Sequence, residues 1–585
     1  MIRDWPRWCA LLLLGLGMLR LFSFAWHQPL WAYANQFDMA RTSACIGLWP
    51  VRDNGDFKAA HLQAPLPEYQ SGGPLDPVCF PSAEVVVVST AAALEGIAGD
   101  DDSGRFPLRW LALWKAGLAA VIALFVHAGL KGFRFWQLGF SLWFAGIVCD
   151  PINLLFLGGL YTEFTALLGA WLALGSAVIV LLRFANNEVR DWWLALGLGV
   201  GVLVLGTARM QHVLHPAAIL FLVAVFFWRS TGTLTTDGSR PRRTRWTLMV
   251  PAVMAALFAL GFQWSNLQRD PSIANVNRVN SLFAAVLPAS DEPETLIQRI
   301  GLPKHCAALN HVSWFLSRGH KPFEECPEIS EYSRLRAAWA LAREPQAALR
   351  MVGRGLLYSS SWRLPYVGEV AGEKFGKVPK FSLSSQLSPL GFTSLVLLWS
   401  IPLLVVPTIA WRLFRGRAVA LDLLGLVLAV WVVLTWLASL LGDGYSELGR
   451  HLHLAQNALL AMWIWLPAWV AGSVSRLREA SPLRRRACLV AATFALFGLF
   501  AFAFFWSRLP MATGQIRTPS GDVAVAPSFD VEGWVLAPTS VEAVRARLGS
   551  DVIVSLRLLP PDEALRRFFP AAGGTVSARF EGSLD

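Results

Sequence analysis

The chain has 585 residues, of which 55% are hydrophobic and 16% charged, with 27 Trp and a net charge of +11. Apolar residues gathered in runs of about twenty exclude an ordinary soluble globular protein and indicate a polytopic helical membrane protein. The positive balance does not point to nucleic acid, because Lys and Arg cluster between the apolar runs, where a membrane accounts for them.

The first apolar run, 8–26, lacks a small-residue cleavage site and reads as a retained span rather than a signal peptide. Residues 27–106 then form a long loop, irregular where Pro and Gly are dense between Pro65 and Pro81. Within it, SAEVVVVSTAAALEGIAG (82–99) predicts a helix lying in the interface plane. Window hydropathy places further spans at 108–130, 137–160, 164–182, 192–208, 213–229 and 247–264. The 137–160 run contains Cys149-Asp150-Pro151 and is expected to break near one end. Residues 265–390 are too long for a plain loop. Helices are expected there at 295–303 and 331–357, the latter basic, with Leu349, Met351, Val352 and Leu356 offering an apolar side to lipid. Spans at 391–411, 418–441, 453–472 and 487–506 bring the total to about eleven. In the tail, FDVEGWVLAP and DVIVSLRLL predict strands and PDEALRRFF a short helix.

Charge sets the expected orientation. With the N-terminus inside, the segments holding Arg3, Arg7, Lys131, Arg134, Arg183, Arg190, Arg240–Arg245, Arg412–Arg417 and Arg476–Arg486 are cytoplasmic. The 27–106 loop has only Arg41, Arg52, Lys58 and Arg105 against ten carboxylates. An odd number of spans leaves the C-terminus outside. The expected fold class is an all-α polytopic membrane protein over 1–506, with extracytoplasmic loops at 27–106 and 265–390 and an extracytoplasmic β-rich domain at 507–585. No internal repeat is visible, which disfavours repeat-built transporters. Of seven cysteines, Cys45 and Cys79 share the first outer loop and Cys306 and Cys326 the second, which suits disulfides in an oxidising compartment; four free thiols are the alternative.

The chemistry-bearing residues concentrate at the expected outer level. Asp38 and Arg41 follow the first span, Asp150 sits in the third, and Tyr161-Thr162-Glu163 opens the fourth. Arg209, Gln211 and His212, with His215 beyond, turn between the fifth and sixth. The stretch 442–447, with Glu447, leads into Arg450, His451 and His453. Arg20 and Lys115 lie deeper, where a charge is expensive unless paired, hydrated or snorkelling to the interface. Acids at this level can accept a proton from a hydroxyl or hold a divalent cation, and the cations can hold a phosphate. Each residue alone also fits a solvated loop or a headgroup anchor, and Asp422 fits a structural role at the inner end. His451 and His453 lack the i, i+4 spacing of a helical zinc pair, and no P-loop, nucleophile elbow or dinucleotide fingerprint is present.

Phe37-Asp38 after the first span, the YTEF of Tyr161–Phe164, the RMQH of Arg209–His212, and the segments 275–303 and 442–454 together resemble the GT-C superfamily of integral-membrane glycosyltransferases, in its bacterial, polyprenyl-phosphate-sugar dependent form. The likeness covers most of the membrane part by layout and little of it by specific residues. It implies a multi-pass enzyme of the bacterial inner membrane, facing the periplasm or cell exterior, that moves a sugar with inversion to a glycan, lipid or protein. It implies Asp38 as general base, with Glu163 and Asp150 orienting a substrate or sharing a cation. Arg41, Lys115, Arg209, Arg450 and His451 would hold the donor phosphate, and Tyr161, Gln211, His212 and Glu447 would position donor or acceptor. Met39, not a second acid, follows Asp38, so a bound Mg or Mn ion stays open. A polysaccharide polymerase or ligase, a transporter or flippase of lipid-linked glycans, and an assembly protein without activity are the competing readings.

Overall fold

The computed structural model describes residues 4–51, 65–73, 79–98, 104–185, 192–229, 240–269, 271–314, 319–359, 364, 367–371, 378, 392–415, 419–478, 513–518, 529–537, 544–548, 552–559 and 576–584. In chain order, α1 (Trp5–Ala25) is followed by strand β1 (Trp31–Ala34), α2 (Gln36–Ser43), β2 (Trp49–Pro50), β3 (Glu68–Gln70), α3 (Ala83–Ala98) and β4 (Arg105–Pro107). Next come α4 (Leu108–Gly129), α5 (Arg134–Trp143), α6 (Pro151–Leu154), α7 (Thr162–Ala185), α8 (Trp192–Ala208), α9 (His215–Arg229) and α10 (Arg240–Arg269). The second long loop holds α11 (Pro271–Ser281), α12 (Pro293–Ile300), α13 (Pro322–Glu325), α14 (Arg334–Ala342), α15 (Pro345–Tyr358) and β5 (Gly368–Val370). Then follow α16 (Phe392–Phe414), α17 (Ala420–Asp443), α18 (Leu448–His451) and α19 (His453–Arg478), and strands β6 (Thr513–Thr518), β7 (Phe529–Ala537), β8 (Val544–Leu548), β9 (Val552–Leu559) and β10 (Val576–Leu584).

An apolar run closes its own backbone hydrogen bonds only as a helix, which is why the long runs form helices. Among the described residues, seven are long and apolar enough to cross a membrane: Trp5–Trp26, Leu108–Gly129, Thr162–Arg183, Met210–Phe227, Met249–Gln268, Ala420–Asp443 and His453–Ala471. Trp192–Ala208 and Trp399–Phe414 are shorter apolar helices. The chain is thus a membrane protein, and seven of the eleven expected spans are full-length apolar helices among the described residues. One difference is the 137–160 run, which is not a single helix. It forms α5, a π-turn over Phe144–Val148, and α6, which restarts where Asp150 accepts the amide of Ile152 and Pro151 takes the first helical position. Phe144 fills the break, stacked on Trp171 with ring centroids 5.2 Å apart. The expected 487–506 span and the short helix at 561–569 lie outside the described residues.

Successive helices reverse direction, so charged pairs collect at both ends. At one end Arg134 pairs with Asp4 at 2.7 Å, and Arg412 with Asp422 at 2.9 Å. Asp422 also accepts from Val419 N and Trp469 Nε1, which fits the structural role expected of it. At the centre, α7 and α8 approach closely because small residues face one another. A Cβ on Gly201 would lie 2.5 Å from Ala173 N, and one on Gly169 would lie 2.7 Å from Leu205 N.

At the opposite end the two long loops are ordered against each other. β1 pairs antiparallel with β5, and β2, β3 and β4 form an antiparallel sheet. Cys45 is bonded to Cys79 and Cys306 to Cys326, with Cα atoms 4.7 and 5.2 Å apart. The expected helix at 82–99 is α3, and that at 295–303 is α12. The 331–357 stretch divides into α14 and α15 at Arg343-Glu344. The α15 side bearing Met351 turns inward, with Tyr445 donating to Met351 O, while Leu349 is exposed. The C-terminal strands form one antiparallel sheet in the order β6-β7-β10-β9-β8.

Candidate functional site

At that loop-bearing end, four chain segments far apart in sequence meet around Arg450. Asp38 and Arg41 lie three residues apart on α2, the short helix that follows α1 and β1. Glu163 sits in the first turn of α7, where an acid suits the helix dipole. Arg209 ends α8. Arg450 comes from α18, which follows a tight turn. Gly444 there has φ +64° and Glu447 φ +46°. A Cβ at position 444 would lie 2.6 Å from Asn280 O, so glycine serves both conformation and space.

Arg450 is almost wholly buried and serves three carboxylates. Its Nη1 donates to Asp38 Oδ2, Nη2 lies 2.5 Å from Glu447 Oε2, and Nε lies 3.6 Å from Glu163 Oε1. Its guanidinium carbon is 5.6 Å from the centre of the Tyr161 ring. Glu163 Oε1 also accepts from Arg209 Nη1 at 2.6 Å. Asp38 accepts from Asn35 at 3.2 Å and has Arg41 at 3.7 Å. Burial pushes the Asp38 carboxyl up, but Arg450 and then Arg41 hold it below the usual aspartate range. Glu447 is raised above its usual value, by burial first, with Asp38 and Asp443 adding to it against Arg450. Burial also raises the Tyr161 phenol, whose oxygen has no hydrogen-bond partner among the described residues.

A second tier of polar groups supports this ring. His451 Nε2 is 3.2 Å from Asp443 Oδ2 and its Nδ1 is 3.1 Å from Gln211 Oε1, while Gln211 Nε2 donates to His451 O at 2.8 Å. Burial lowers the His451 imidazole, and the Asp443 carboxylate pulls it back up. Asn280 donates to Asp443 Oδ1 at 2.9 Å. His453 Nε2 lies 2.6 Å from Asn153 Oδ1, and Asn153 donates to Asn457 Oδ1 at 2.7 Å. His212 stands edge-on to His215, whose Nε2 is 2.7 Å from Thr435 Oγ1.

Of the sequence candidates, Asp38, Arg41, Tyr161, Glu163, Arg209, Glu447 and Arg450 thus gather in one cluster, with Gln211, His212 and His451 behind it. Two stand in other arrangements. Lys115 is fully enclosed. All three of its N–H bonds are taken, by Glu84 at 2.6 Å, Gly159 O at 2.8 Å and Phe156 O at 3.1 Å, which leaves none for a phosphate. Asp150 caps α6 through its bond to Ile152 N at 3.0 Å. Sequence reasoning missed Glu84, Asn153, Asn280 and Asn457. A polar residue inside an apolar run, as in Pro-Ile-Asn-Leu at 151–154, was the available signal for Asn153.

A divalent cation does not fit the cluster as it stands, because Asp38, Glu163 and Glu447 each already share an oxygen with a guanidinium. Elsewhere among the described residues, His305, Cys306 and Glu328 lie within ligand distance of one another. The Cys306 sulfur is committed to Cys326, so that group lacks its thiolate.

The arrangement offers a buried cation, Arg450, and a half-buried one, Arg209, able to hold an oxyanion, next to carboxylates able to take a proton. Compared with known protein families, residues 102–481 match the family described as the YfdI N-terminal transmembrane domain. The match takes in Glu163, Arg209, Glu447 and Arg450 and leaves out the segment of Asp38 and the C-terminal strands. No curated protein and no solved structure matches the chain.

Proposed function

This chain belongs to the YfdI N-terminal transmembrane domain family, and we propose that it is a GT-C type glycosyltransferase. It moves a sugar from a polyprenyl-phosphate donor to a glycan, lipid or protein on the outer face of the bacterial cytoplasmic membrane. The observation that carries this reading is the meeting of Asp38, Glu163, Arg209 and Arg450 at one end of the apolar bundle. A lipid-linked phosphate has its tail in the bilayer and its charge at the surface, where such a cluster would receive it.

In the free enzyme each acid is neutralised by an arginine. Asp38 bonded to Arg450 is a weak base, since its charge is already stabilised. A donor phosphate competes for Arg450 and Arg209 through the same fork of N–H donors. As Arg450 turns toward the phosphate, Asp38 loses its strongest partner and gains basicity. The acceptor hydroxyl gives its proton to Asp38 as its oxygen attacks the anomeric carbon from the face opposite the phosphate. The sugar–oxygen bond to the phosphate breaks with inversion, and the leaving phosphate gains a negative charge that the arginines stabilise. Glu163 keeps Arg209 in place through the 2.6 Å contact. Donor binds before acceptor in this scheme.

The test is Asp38→Asn in membranes supplied with polyprenyl-phosphate sugars. The variant inserts and accumulates as the parent chain does and transfers no sugar. A fully active Asp38→Asn removes Asp38 from the chemistry.

A further inference from the structure

The three acids around Arg450 are unequally compensated. Asp38 has Arg41 and Asn35 besides Arg450, and Glu163 has Arg209. Glu447 has Arg450 as its described ion-pair partner, at 2.5 Å. Its side chain is 19% exposed, against 9% for Asp38 and 2% for Glu163, so it is the one most open to water. Its backbone lies in the left-handed region at φ +46°, ψ +28°, a conformation costly for a residue with a Cβ. Glycine would relieve that cost. With glutamate there, that cost is set against the ion pair its carboxylate makes with Arg450.

A phosphate arriving at Arg450 and Arg209 adds negative charge to a cluster whose three carboxylates are already balanced by Arg450, Arg209 and Arg41. Like charges crowded into a site poor in water cannot all stay ionised, and the least compensated group yields first. Resting on the phosphate-site reading above, we propose that Glu447 takes up a proton from solvent when a prenyl-linked phosphate engages Arg450, and so releases Nη2 of Arg450 to the phosphate. The balance is one carboxylate and one proton giving one carboxylic acid, which offsets one negative charge of the incoming group. The charged and titratable groups around Glu447 are Arg450 on α18, Asp38 on α2, Asp443 at the end of α17, Arg209 after α8 and Tyr161 before α7. Burial, Asp38 and Asp443 favour the protonated form of Glu447, and Arg450 and Arg209 oppose it. Withdrawing Arg450 toward a phosphate therefore tips Glu447 to the acid.

The experiment titrates the full chain in detergent with undecaprenyl phosphate by calorimetry, in two buffers of different ionisation enthalpy. Wild type takes up about one more proton per bound lipid than Glu447→Gln near neutral pH. The comparison cancels the phosphate's own protonation. Glu447→Gln binds about tenfold tighter, because the neutral amide imitates the protonated acid. Its affinity stays flat where wild type weakens as pH rises. Equal proton uptake by the two proteins overturns the inference, as does weaker binding by Glu447→Gln. Arg450→Gln and Arg209→Gln are titrated alongside. If both bind undecaprenyl phosphate as wild type does, the phosphate-site reading itself falls, and the inference with it.

Discussion

Replacing Lys115 by Met tests how the turn beneath the site is held. The Lys115 ammonium and the Glu84 carboxylate are 2.6 Å apart and both side chains are 0% exposed. Lys115 also donates to Phe156 O and Gly159 O, in the turn that leads to Tyr161 and Glu163, and Glu84 Oε2 accepts from Thr165 Oγ1 at 2.5 Å. Removing the ammonium strands a buried carboxylate, which costs about 3–5 kcal/mol. Two orphaned carbonyls add about 1 kcal/mol each. The single variant should therefore lose about 6 kcal/mol. The double variant Lys115→Met/Glu84→Gln has no unpaired charge and keeps an oxygen for Thr165. It should lose only the carbonyl share, about 2 kcal/mol. Thermal melting of the purified proteins in detergent should rank wild type above the double variant and the double above the single. A Lys115→Met protein that melts with wild type, or a double variant no better than the single, refutes the claim that this pair is a closed structural unit.

Arg450→Lys should lower sugar transfer by about a hundredfold or more, since one ammonium cannot span Asp38 and Glu447 as a guanidinium does; transfer within a few-fold of wild type counts against the shared fork. Asp38 should show in the acid limb of stability. Its folded carboxyl lies below its unfolded value, so its contribution is complete above about pH 4 and disappears as pH falls through the lower folded value. Melting curves of wild type and Asp38→Asn should converge in that acid range and diverge above it. Gly201→Val should destabilise the α7–α8 contact by about 1–3 kcal/mol, because its Cβ would press on the Ala173 backbone; unchanged melting would mean the two helices separate freely.

The Asp38–Arg450 contact joins residues 412 positions apart, and the Asn153–Asn457 contact joins residues 304 apart. No spacing in the chain announces either. The candidate residues were legible because each stands just beyond an apolar run, where a polar side chain is conspicuous. Their partners were not. Lys115 read as a cation within reach of a phosphate, since the sequence does not reveal that α3 brings Glu84 against it. Asp150 read as a site acid, while locally it caps the helix that Pro151 begins.

What the sequence by itself determined is the partition of this chain. Runs of about twenty apolar residues must enter lipid as helices because each closes its own backbone bonds there, and polar residues are left at the ends. Paired cysteines within each loop and alternating strands in the tail were local in the same sense. Only the tertiary structure decided which end-residues meet. That depends on which helices lie side by side, and in hydrocarbon this is settled by close steric fit, such as Gly201 against Ala173 and Phe144 in the break of the third run, and not by hydropathy. Arg450 touches Asp38, Glu163 and Glu447 as a consequence of that packing.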